Sequence, residues 1–175
     1  MTRDGTPQQA QETMAHPKTR ARELALQYLY MHDALHGREV QTLAEYLAEQ
    51  TPPPDAEVLE FTRQLVDNVL QHRDELDREI AQVALNWKIN RMAIVDRNIL
   101  RVGLAELISC LDTPYRVILN EAIELARRYS SEAACAFVNG LLDKLRARHR
   151  PQEAGSKDEA SDTTAPPDER NDERL

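Results

Sequence analysis

The chain has 175 residues, 41% of them hydrophobic and 5% aromatic, with five glycines and a net charge of −8. That composition suits one buried core and excludes a sandwich or barrel of many short strands. The charge sits mostly in the tails: Arg3 opposes Asp4 and Glu12 in residues 1–16, three cations oppose eight carboxylates in residues 151–175, and 18 basic against 20 acidic groups remain between, so local patches decide the partners of the middle.

Residues 1–16 are polar and aperiodic, and are expected to form a disordered lead. Ala21, Leu24, Ala25, Tyr28, Met31 and Leu35 then recur at helical spacing and predict a first helix ending near Gly37. Leu43, Tyr46 and Leu47 suggest a short second helix before the prolines at 52–54. Asp55 is placed to cap a third, with Val58, Phe61, Thr62, Leu65 and Val69 on its buried face. A fourth runs through Leu76, Ile80 and Val83 toward Trp87. The stretch MAIVDRNILRVGLAELISCL is apolar on nearly every side, with Leu111 at the end of one stripe, and predicts the central helix. Its few charges therefore need partners. Thr113 as cap and Pro114 at the first position open the next helix, and Ser130 or Ser131 opens the last, which ends in Arg146, Arg148 and Arg150. The expectation is an all-α compact bundle of about seven helices over residues 17–150. From Pro151 the chain is too polar to offset its entropy and reads as a disordered acidic tail.

Catalytic signals are absent from the sequence. Cys110 and Cys135 lie in apolar runs without a C-x-x-C pair, which suits two small buried thiols. His32 and His36 have helical i, i+4 spacing but lack a neighbouring glutamate and a third ligand, so no metal site is expected. No glycine-rich phosphate loop or nucleophile elbow occurs, and no enzyme activity or cofactor is expected. Without an 18-residue apolar run or a signal peptide, the chain is expected in the cytoplasm and away from membranes.

Binding signals are clearer. In KTRARE, residues 18–23, the cations Lys18, Arg20 and Arg22 suit phosphates. Arg20, Glu23, Gln27 and Tyr30 share one sector away from Leu24 and Tyr28. There Gln27 is suited to a base edge and Tyr30 to stacking on a base. A solvated helix start is the alternative. Asp96, Arg97 and Arg101 interrupt the central helix, either as ion pairs that orient the bundle or as a site where a carboxylate accepts from base amino groups. Spacing alone does not choose. Within FVNGLLDKL, Gly140 sits inside a helical pattern at a cost of about 1 kcal/mol, which a close helix approach or a functional surface offsets.

Four segments in order, RARELALQYLY, VDRNILRVGLAEL, PYRVILNEAIELARRY and FVNGLLDKL, together resemble the NusB family of bacterial transcription antitermination factors over about residues 17–145. The resemblance implies two small helical bundles packed across each other. It further implies binding to the boxA element of nascent ribosomal RNA leaders with NusE, a small ribosomal subunit protein, in an antitermination complex with RNA polymerase. The family's basic start falls on Lys18, Arg20 and Arg22, followed by Gln27 and Tyr30. Its acidic position falls on Asp96, with Arg97 and Arg101 beyond, and its last motif supplies Phe137 and Asn139. Thr19 and Ala133 stand where the family often has arginine and a polar residue, so fewer phosphate contacts are expected. A protein-interaction module or homodimer without RNA binding is the alternative class.

Overall fold

The computed structural model describes residues 16–38, 40–85 and 87–155. Within them run seven α-helices: α1 Pro17–Ala34, α2 Leu43–Ala48, α3 Ala56–Gln71, α4 Arg73–Val83, α5 Ile94–Ser109, α6 Tyr115–Tyr129 and α7 Glu132–His149. Short 3-10 turns, Ile89–Arg91 and Pro151–Gly155, precede α5 and follow α7. No described residue lies in a strand.

Most helix starts are written locally. Asp55 accepts from the Val58 N–H at 2.9 Å, Ser131 from Ala134 at 3.2 Å, and Thr42 forms a reciprocal capping box with Glu45. Helix α1 ends in left-handed backbone at His36 and Gly37, with φ of 52° and 68°; the Gly37 N–H donates to the His32 carbonyl at 2.9 Å. Leu35 lies beyond the helix end and is exposed, as is Leu111 after α5, so neither belongs to the apolar face expected of it. Trp87 likewise falls outside α4.

Helix α6 departs from expectation. Thr113 is buried and does not cap it; Pro114 occupies the cap position and has no side-chain bond to give. The Tyr115 N–H donates instead to Glu153 Oε2 at 3.2 Å. A carboxylate from the far end of the domain thus serves the positive end of the helix.

Helix α5 is buried without interruption from Asn98 to Leu107. Helices α1 and α3 pair with each other and pack on it, as do α6 and α7, while α4 packs against both α5 and α7. Two helical groups therefore share one central element. Ile99, Leu100, Leu104 and Leu107 are fully enclosed, each worth about 1.5–3 kcal/mol against exposure. The close helix contact lies at Gly103, where a Cβ would come within 2.9 Å of Leu142 Cδ1. A Cβ at Gly140 would meet nothing within 4 Å. Of the explanations for Gly140, helix packing is thereby excluded among the described residues.

The expected boundary at Arg150 also moves. Pro151–Gly155 is helical, and Arg150 is buried rather than part of an exposed basic end. Its guanidinium donates to the carbonyls of Leu107 and Thr113 at 2.7 Å, Cys110 at 2.8 Å and Glu106 at 3.3 Å. These lie in the last turn of α5 and the loop after it, where helical carbonyls lack partners. Of the expected lead only His16 is described, and of the expected tail only residues 151–155.

Candidate functional site

Arg20 and Arg22 are separated by about 200° around α1, and the two side chains go opposite ways. Arg20 is half-buried and donates to the Pro52 carbonyl at the helix start; Lys18, one turn before Arg22, lies on Arg22's side of the helix, 5.2 Å above the Phe61 ring that Arg22 also meets at 5.4 Å. Arg22 turns inward. It is 3% exposed, donates through Nε to Glu106 Oε2 at 2.9 Å, and has Glu121 at 3.4 Å. Burial works against its charge, but the hydrogen bond and attraction of Glu106 prevail and raise its pKa. The expectation that Arg22 reaches phosphate is corrected: its carboxylate partner lies on the apolar face of α5, and the pair is sealed in the core.

The other three charges of α5, Asp96, Arg97 and Arg101, separate as well. Arg101, 2% exposed, binds both oxygens of Asp77 at 2.6 and 2.7 Å and Asp33 at 2.7 Å. Arg97 reaches Asp33 at 3.3 Å, and Arg73 reaches it from the start of α4 at 2.7 Å. Arg97 and Arg101 therefore orient the bundle, as the ion-pair alternative holds, and leave the candidate contact surface. Asp96 faces elsewhere. Its Oδ1 is buried with no hydrogen-bond partner in the structure.

Gln27 is exposed yet committed. Its amide donates to the Tyr129 hydroxyl at 3.0 Å and accepts from the Tyr46 hydroxyl at 2.9 Å, so it positions two phenols rather than standing free for a base edge. Tyr30, 47% exposed, makes a shallow depression with Leu26, Gln27, Val95 and Tyr129. A second depression is lined by Trp87, Arg91, Asp96, Ser131 and Phe137 among others; Asp96 and Ser131 follow Val95 and Tyr129 of the first by one and two positions. Asn139 is exposed on α7 but lines neither, since two positions along a helix turn it away from Phe137.

The two linings thus bring Tyr30 together with Tyr129, and Asp96 with Trp87 and Phe137, while Lys18 and Arg20 lie in the first turn of α1. The sequence reading missed Tyr129 and Trp87. The available signal for Trp87 was an aromatic beside cations in NWKINR, within a break between helices. Among the described residues no group of three or more His, Cys, Asp or Glu is placed to hold a metal, and no described helix is long and apolar enough to cross a membrane.

Two helical groups around a shared helix, with exposed aromatics and a carboxylate lining open depressions and cations in the first turn of α1, define a helical binding module. The NusB family model matches residues 19–147. The transcription antitermination protein NusB of Anaeromyxobacter dehalogenans is 42% identical over 144 residues, covering 82% of this chain and 100% of that protein. NusB of Geobacter sulfurreducens is 44% identical over 124 residues, 71% of this chain and 89% of its own. The solved T. maritima NusB aligns with a TM-score of 0.70 at 33% identity, covering 80% of this chain and 97% of that one. A crystal structure of antitermination factors NusB and NusE in complex with dsRNA aligns at 0.66 and 28% identity, covering 77% and 99%. The chain belongs to the NusB family.

Proposed function

We propose that this protein is a cytoplasmic transcription antitermination factor that binds boxA-type single-stranded RNA of ribosomal RNA leaders together with NusE, and so helps RNA polymerase read through terminators. The observation that carries the reading is the exposed Tyr30, with a second depression lined by Asp96 and Phe137, in a chain of this family. Unstacked bases lie against aromatic rings, which duplex RNA does not offer. Lys18 and Arg20 meet phosphates, Tyr30 and Phe137 stack, the Asp96 carboxylate accepts from a base amino group, and Asn139 contacts the strand at its edge. NusE occupies a separate surface, so that RNA and protein are held together.

Gel shifts with boxA RNA, with and without NusE and across a salt series, test this. Binding that weakens steeply with salt and tightens with NusE is expected. Competition between NusE and RNA, or equal affinity for a duplex of the same sequence, contradicts the reading.

A further inference from the structure

Trp87, the only tryptophan of the chain, lies in the connector between α4 and α5. It is 59% exposed although its ring meets Phe137 edge-on at 5.6 Å. The pair forms a ridge between two clefts. One, of about 220 Å³, includes Arg91 and Asp96 in its lining; the other, of about 300 Å³, includes Leu85, Gly140 and Lys144. Lys88, Arg91 and Lys144 are exposed and make no ion pair among the described residues.

We infer that Trp87, flanked by Lys88 and Arg91, is a second stacking subsite for single-stranded RNA; this rests on the RNA-binding reading proposed above. A large indole left in water forgoes burial that a stacked base restores. Unneutralised cations beside it attract the phosphates of the same strand. The Asp96 carboxylate in the cleft lining repels phosphate but accepts from an exocyclic amino group, which sets a base rather than backbone over that cleft. Gly140, with no side chain and open space before it, admits a sugar–phosphate strand along the other flank. A protein partner fits less well, because the cores of protein interfaces are poor in lysine and this indole is ringed by cations.

Emission from Trp87 reads this subsite directly. The full chain is titrated with dye-labelled single-stranded boxA RNA, with NusE emission subtracted where NusE is present. Quenching that tracks dye anisotropy is expected. Trp87→Ala should weaken RNA binding about five- to hundredfold, and Trp87→Phe should retain most of the affinity. Because Trp87→Phe keeps a ring on Phe137, it separates lost stacking from lost packing. Lys88→Gln and Arg91→Gln should each reduce the salt slope by about one. RNA binding by anisotropy without any change in emission, and with Trp87→Ala as tight as wild type, overturns the subsite while leaving the Tyr30 reading intact. A change on adding NusE alone, with none from RNA, assigns the ridge to protein and overturns it. No RNA binding even with NusE overturns both readings.

Discussion

Arg20 and Arg22 give opposite outcomes on truncation. Arg22→Ala leaves Glu106, 1% exposed, as an uncompensated buried carboxylate, and should cost about 3–5 kcal/mol in chemical denaturation. Arg20→Ala should alter stability by no more than about 0.5 kcal/mol while weakening RNA binding, which a melt paired with a gel shift reads. If Arg22→Ala folds as stably as wild type, the Glu106 pair is not what fixes α1 to α5. Tyr30→Ala should lower RNA affinity by about 1–3 kcal/mol without lowering the melting temperature. At this scale the chain is only half legible. Alternation around α1 shows that Arg20 and Arg22 diverge, but which one is buried depends on Glu106, 84 positions away. The signal is a glutamate on the most apolar stretch of α5, a charge that needs a partner and does not name it.

Among the elements, two glycines at helical positions separate packing from surface. Gly140→Ala adds a methyl group into open space and improves helix propensity, so it should stabilise the fold by up to about 1 kcal/mol. Gly103→Ala drives a Cβ against Leu142, itself fully buried, and should cost about 1–3 kcal/mol through overpacking. Thermal melts of the two variants should move in opposite directions; movement the same way contradicts the assignment of the close contact. Helix positions were largely readable because Asp55, Ser131 and the apolar periods lie within the elements they define. The start of α6 was not, since its capping carboxylate, Glu153, lies 38 positions later in sequence. Seven helices could be counted from local pattern, whereas the pairing of Asp33 with three arginines is a product of packing.

For the whole molecule, Asp33 joins α1 to the start of α4 and to α5. Burial acts to raise its pKa, but Arg101, Arg73 and Asn98 outweigh burial and lower it. A carboxyl that holds its proton less firmly when folded contributes fully above its unfolded pKa of about 4, and loses that contribution as pH falls through the lower folded value. Asp33→Asn should therefore be markedly less stable than wild type near neutrality, with the deficit shrinking in acid. A deficit constant from about pH 7 to about pH 3 excludes this role. The reach of Arg150 back to α5 has a further consequence for biosynthesis. The carbonyl end of the central helix is made before it on the ribosome, but the guanidinium that binds it is, among the described residues, the last buried side chain to emerge. Final closure of the core thus waits for release of the C-terminal segment, and a nascent chain stopped at His149 stays open at that corner however long it pauses.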